Sequence, residues 1–543
     1  MFDPNRRNAA SMKTMTADAL AAGLHRPDGA WPYRGWALFD VREQGEAERG
    51  HIPSATPLPR RLIEFRLPEL VPAKRTRIVV YDSGKADDRR AVLAARTMRL
   101  HGYEGACVLA GGLEAWRAIG ERVFEGVNVP CKEFGERVLA EDGVPYVDAD
   151  ALNARLADGK CLAVCDVRTL EEYETGHVPG GYSTPGFELA LRLGDFGEAN
   201  EGIVVNCAGR TRSIIATATL RQLGARNVWA LENGTMGWRL AGRKLESGSP
   251  PALPAESPEG RRVVRSEAAS LARAEGARRI AADELAELCD GLSERNGYIF
   301  DVRSLVDFRA GHIPGAVALP GGQAVQRADD FAAVPGAPVV FVDDGDARAW
   351  LAAYWYGRMG FPDVRVLDGG VSAWSASGRE LEEGRGRADP LGFEVARRRV
   401  KQIEATALAA HLKGRVSPVL LDVGTSRHYA AGHIADAHWV PRGWLEARAG
   451  AHGGHDTPVV VTAADPRQAL LAAATLLDLG YVDVRALKGG NPAWKSAGLP
   501  LETGLPEGCE DPGDVVEPPY HKGRDGMLRY LEWETRLGRK YAQ

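Results

Sequence analysis

The chain has 543 residues, of which 44% are hydrophobic, and a net charge of -5. A length of this order predicts roughly three to five domains rather than one core, and the slightly acidic balance excludes a dedicated nucleic-acid binder. No apolar run reaches the roughly 18 residues that a membrane helix needs, so no membrane partner is expected.

The N-terminus, Met1-Phe-Asp-Pro-Asn-Arg-Arg7, carries basic residues but no apolar stretch behind them. No secretory signal is therefore predicted. The first organised segment is an amphipathic helix near Leu20, followed by a strand ending in Phe39-Asp-Val-Arg42. A short helix then leads into the turn Gly50-His-Ile-Pro53. A β-branched strand, a loop, a long helix and another short strand run to Gly111-Gly-Leu-Glu-Ala-Trp116.

The same succession returns three times. The Asp-ended strand recurs as Cys165-Asp-Val-Arg168, Phe300-Asp-Val-Arg303 and Leu421-Asp-Val-Gly424. The His turn recurs as Gly176-His-Val-Pro179, Gly311-His-Ile-Pro314 and Gly432-His-Ile-Ala435, eleven residues after the Asp in every copy. The third element recurs as Asn233-Gly-Thr-Met-Gly-Trp238, Gly369-Gly-Val-Ser-Ala-Trp374 and Gly489-Gly-Asn-Pro-Ala-Trp494. Three elements in one order, four times over, identify an internal repeat of domain size. Strands alternating with helices predict a parallel sheet covered on both faces. Sites in such sheets form outside the carboxyl ends of the strands. The His turns are read as structural fixtures of that edge, and the four tryptophans as core.

The copies are bounded at 14–125, 140–246, 276–384 and 400–502. The stretch 247–275 reads as a linker, and its first part, Ser247 to Gly260, is rich in Pro, Ser and Gly and predicts an extended, mobile chain. A second linker is read from Glu383 to Pro390. The tail 503–543 ends in an aromatic, helix-patterned segment from Tyr520 to Leu537, expected to dock on a domain.

Chemistry concentrates in the second copy, at Ile203-Val-Val-Asn-Cys-Ala-Gly-Arg-Thr-Arg-Ser-Ile-Ile215. A β-branched strand ends, Cys207 follows, and a helix begins near Ser213. Unpaired helix N–H groups and the guanidinium groups of Arg210 and Arg212 favour thiolate over thiol, and thiolate is the nucleophilic form. The other cysteines (107, 131, 161, 165, 289, 509) show no disulfide framework and no zinc spacing. They predict free thiols in a reducing cytoplasm, with neither metal nor cofactor. Cys165 and Cys161 are read as core, with capture of sulfur from Cys207, or a disulfide with it, as the alternative. Cys131, in a Pro-Cys-Lys linker, is expected to be exposed.

These pieces together resemble the rhodanese family of sulfurtransferases. The resemblance covers four domains and implies an α/β fold for each, a five-stranded parallel sheet with helices on both faces. It implies a catalytic Cys207 that carries a covalent persulfide within a loop of Ala208, Gly209, Arg210, Thr211, Arg212 and Ser213. Loop N–H groups would stabilise the anionic sulfur. Arg210 and Arg212 would hold the anionic donor, with an ion pair from Arg212 back to Asp166 as the alternative. Asp166, Arg168 and His177 would brace the loop from behind.

The other copies place Asp82, Asp343 and Ala463 where Cys207 stands. None offers a thiol, so one catalytic domain and three non-catalytic ones are expected. The resemblance implies a thiosulfate sulfurtransferase that passes sulfur to a thiol, to cyanide or to a protein acceptor. The alternative is a persulfide carrier or sensor that docks partners through its thiol-less domains. A phosphatase is disfavoured, because Cys207 to Arg212 spans four intervening residues, one fewer than the Cys-x5-Arg loop that wraps a phosphate.

Overall fold

The computed structural model describes residues 12–24, 35–160, 162–199, 201–254, 256–386, 389–414, 417–509 and 511–541. It contains four five-stranded sheets, one for each repeat. In each, the strands taken in chain order lie side by side as first, fifth, fourth, second and third. Every pairing within the four sheets is parallel. The expected fold is therefore present four times. Its cause is visible in the second repeat. The strands Leu162–Asp166 and Gly202–Asn206 are almost continuously buried, which only helices on both faces can arrange.

The repeated motifs hold the carboxyl edge of each sheet. Asp166 takes two hydrogen bonds from the Arg168 guanidinium and one from Asn206 Nδ2 at 2.9 Å. Arg168 Nη2 also donates to Gly176 O at 2.5 Å, which ties the His turn to the strand end. His177 Nδ1 lies 3.0 Å from Tyr173 O, and its ring stacks on Tyr173 with centroids 3.8 Å apart. Its backbone exchanges hydrogen bonds with Glu246. The other three histidines repeat the Nδ1 contact to the carbonyl four residues before and the backbone exchange, which fixes each turn against the end of its repeat. The tryptophans are core, and each indole N–H reaches a carbonyl six residues on.

The chain divides into two compact units. One comprises the first and fourth repeats. Within it, Arg442 makes a two-point ion pair with Glu64 at 2.6 and 3.0 Å, and Arg60 reaches Glu446 at 2.9 Å. Both groups are buried, and the adjacent guanidinium groups hold the Glu64 carboxyl down at about 2 despite that burial. The other unit comprises the second and third repeats and the C-terminal segment from Glu517. Within it, Arg348 of the third repeat pairs with Glu188 of the second at 2.6 Å. Trp355 Nε1 donates to Thr219 Oγ1 at 2.9 Å.

Two expectations need correction. The linker 247–275 is extended only at its start, because Pro258–Ala274 is a helix. Ser257 caps it by accepting from Gly260 N–H, and Pro258 sits in its first turn, where no N–H is needed. Cys131 is buried rather than exposed, because the supposed linker around it is the helix Val129–Glu141. Its thiol lies 3.2 Å from Asp329 Oδ1. Cys165 is fully buried in its strand, and burial pushes its thiol up, which fits the core reading. Cys161 lies outside the described residues. Among the described residues, no helix is long and apolar enough to cross a membrane, and no His, Cys, Asp or Glu cluster is built to hold a metal.

Candidate active site

Cys207 follows the strand Gly202–Asn206 directly, and the helix Thr211–Gln222 begins four residues later. The loop between them is clamped from the next turn of the fold. Thr235 N–H donates to Cys207 O at 2.8 Å, and Met236 N–H donates to Ala208 O at 3.1 Å. This clamp explains the Asn233-Gly234 pair. Gly234 has φ +55, and a Cβ there would fall well inside contact distance of Cys207 O.

The same clamp fixes the equivalence of the four repeats. Leu113 N–H donates to Asp82 O, Val371 N–H to Asp343 O, and Asn491 N–H to Ala463 O. Asp82, Asp343 and Ala463 thus stand where Cys207 stands. The aspartates are occupied by their own loops. Asp82 accepts from Gly84 and Ala91 N–H, and Asp343 from Gly345 and Ala349 N–H. Burial and the neighbouring Asp346 push the Asp343 carboxyl up. Those loops are filled by their own carboxylates.

Around Cys207 the loop residues come together as expected, but their partners differ. Ser213 Oγ lies 3.4 Å from Cys207 Sγ and 2.9 Å from Arg210 O, within hydrogen-bonding reach of either. Arg212 does not reach back to Asp166. It makes a two-point pair with Glu172 at 2.7 and 2.8 Å. Arg210 is likewise gripped by Glu136 at 2.6 and 2.8 Å, and its Nη1 reaches Asn233 Oδ1 at 3.3 Å. Both guanidinium groups are therefore charge-matched within the protein. Asp166, Arg168 and His177 form the frame behind the loop, and Asn206, the residue before Cys207, donates to Asp166 Oδ2 at 2.9 Å.

The expected thiolate bias is also corrected. Cys207 is only 2% exposed, and burial pushes its thiol up. Arg212 and hydrogen bonds from Ser213 pull it down, while Glu534 adds to the upward push. The covering comes from the tail, which docks as expected but at a place the sequence did not indicate. The helix Gly523–Gly538 carries Met527 and Leu531 onto Met236. Thr211 Oγ1 donates to Glu534 Oε1 at 2.6 Å. Lys132 Nζ lies over the rings of Tyr530 and Trp533, 5.1 and 4.9 Å from their centroids.

What remains above the sulfur is a cavity of about 210 Å³. Its walls include Cys207, Arg212, Lys132, Met236, Tyr530 and Glu534. Of the residues that sequence reading missed, Glu172 was within reach. It stands three residues after Thr169 in a capping box, a recognisable spacing. Glu136, Lys132 and Glu534 had no comparable signal, because they reach the loop from separate helices.

The comparisons with known proteins agree with this fold. The rhodanese-like domain model matches residues 16–119, 148–241, 281–377 and 404–497. The crystal structure of a thiosulfate sulfurtransferase from Pseudomonas aeruginosa is 36% identical, with a TM-score of 0.85. The match covers 98% of each chain. A sulfurtransferase of Allochromatium vinosum is 29% identical over 117 residues, 22% of this chain and 99% of its own length. An HTH-type transcriptional regulator of Mycobacterium tuberculosis is 36% identical over 154 residues, 26% of this chain and 66% of its own. With the domain model matching four times, and one sheet topology repeated at each match, the chain belongs to the rhodanese family.

Proposed function

We propose that the chain is a sulfurtransferase that moves sulfane sulfur through a persulfide on Cys207, with thiosulfate or a related compound as donor. The Cys207 thiolate attacks the outer sulfur of the donor. The sulfur–sulfur bond to the sulfonate breaks, and its electron pair leaves on sulfite. Cys207 then carries the persulfide. An acceptor thiolate attacks the outer sulfur, which departs with the acceptor and returns Cys207 as thiolate. This is ping-pong chemistry through a covalent intermediate.

The observation that carries this reading is positional. Four equivalent loop positions exist, and Cys207 alone among them places a thiol against a helix N-terminus, an arginine and a serine hydroxyl. The Ser213 hydroxyl and N–H and the Arg212 charge are the groups that lower the thiol's proton affinity, and they would equally stabilise a terminal persulfide anion. Similarity to a thiosulfate sulfurtransferase over the whole chain supports the donor assignment.

The experiment is intact mass spectrometry of the full chain after thiosulfate treatment, with peptide mapping and sulfite detection. One added sulfur on the Cys207 peptide and one sulfite released per chain are expected. Both are lost in Cys207→Ser. Sulfur uptake that persists in Cys207→Ser would overturn the proposal.

A further inference from the structure

The cavity over Cys207 is larger than a small inorganic donor requires. At about 30 Å³ per water, its 210 Å³ corresponds to roughly seven waters. A lone tetrahedral anion fills only part of that. Arg210 and Arg212 already face Glu136 and Glu172, so neither offers an uncompensated positive charge to a dianion. Lys132 also lines the cavity, its ammonium lying over the Tyr530 and Trp533 rings. Glu534 is 1% exposed and lines the cavity. Its Oε1 accepts the Thr211 hydroxyl and the Tyr530 phenol lies against the carboxylate, while Oε2 has no hydrogen-bond partner among the described residues. No ion pair joins Glu534 among the described residues. A Cβ placed on Gly209 would lie 3.2 Å from Oε2 and 3.4 Å from the Tyr530 ring, so this oxygen sits against the active loop itself. A buried carboxylate oxygen with no donor is costly, and a cation or donor from a ligand relieves the cost.

Building on the sulfur-transfer reading, we propose that the C-terminal helix forms a substrate subsite beside Cys207 in which Glu534 Oε2 receives an ammonium group. The organic substrate it selects is an aminothiol or its persulfide, a small molecule with a protonated amine close to its sulfur. The Tyr530 ring and the Met236 side chain line the rest of that subsite. Glu534 is a specificity residue here, and the sulfur-transfer steps are unchanged.

The test uses the full chain and does not depend on turnover. Cys207 is alkylated with iodoacetamide, and the rate is read by peptide mass spectrometry, with and without S-methylcysteamine. This amine cannot accept sulfur as a thiolate. Methyl propyl sulfide is its uncharged counterpart. The amine should slow alkylation, and the uncharged sulfide should not at the same concentration. In Glu534→Gln, the concentration of amine giving half protection should rise about ten- to hundredfold, the range expected for losing one charge-assisted hydrogen bond. Glu534→Asp should keep part of the protection. Equal protection by the two sulfides in the wild-type chain would overturn the proposal, and that comparison stands even if a variant undocks the helix. So would undiminished protection of Glu534→Gln by the amine. Failure of Cys207 to take sulfur from thiosulfate would instead sink the sulfur-transfer reading and leave the protection result standing.

Discussion

Leu531→Ala should expose Cys207 without touching it. Leu531, Met527 and Met236 form the apolar anchor between the C-terminal helix and the second repeat. Truncating a buried leucine costs about 2 to 5 kcal/mol. The lower figure fits a helix packed on a surface, where the site can partly collapse. If alkylation requires the helix to lift, its rate follows the lifted fraction. A cost of about 2 kcal/mol at 1.4 kcal/mol per decade then raises the rate by about 30-fold. Met527→Ala should act similarly, and the pair should fall short of additivity because the two residues share one cluster. The pH profile should move as well. Burial is the largest contribution raising the thiol, and Glu534 adds to it. Lifting the helix removes both while Arg212 and Ser213 stay. The alkylation rate of the variant should therefore reach its plateau at lower pH than that of the wild-type chain. The assay is iodoacetamide labelling of the full chain across a pH series, with the Cys207 peptide quantified by mass spectrometry. An unchanged rate and an unchanged profile in Leu531→Ala would refute the claim that this helix governs access to the sulfur.

Other outcomes follow from the same geometry. Gly234→Ala should abolish sulfur uptake at Cys207 while leaving the other three repeats folded. Its Cβ would displace the Cys207 carbonyl, and φ +55 disfavours any side chain; mass spectrometry after thiosulfate treatment and circular dichroism check the two halves. Asp343→Cys in a Cys207→Ser background should not restore wild-type sulfur uptake, because Asp346 stands where the second repeat has Arg210; equal uptake by the double variant would contradict this. The Glu172–Arg212 pair should contribute acid-sensitive stability. Its carboxyl is held down at about 2 against an ordinary 4.5. That difference is worth about 3 kcal/mol, fully present above pH 4.5 and lost as pH falls toward 2. The gap between wild type and Glu172→Gln in urea midpoint should close over that window, and a gap constant with pH would contradict the pairing.

The sequence by itself determined the repeat, the sheet and the one loop of the four that carries a thiol. Motif order and strand burial are local properties, read one copy against another, and Cys207 differs from Asp82, Asp343 and Ala463 at one register position. The structural roles of the histidines and tryptophans were legible for the same reason. The partners of the two loop arginines were not. Glu136 meets Arg210 from a helix 74 residues earlier, inside what looked like a linker, and Glu172 rather than Asp166 meets Arg212. The protonation of Cys207 was misjudged because loop charges were counted without burial. That burial comes from a helix whose Glu534 lies 323 residues beyond Thr211 in the chain. Only the folded chain brings that carboxylate to the sulfur, since a contact between segments so distant leaves no periodicity or spacing in either one.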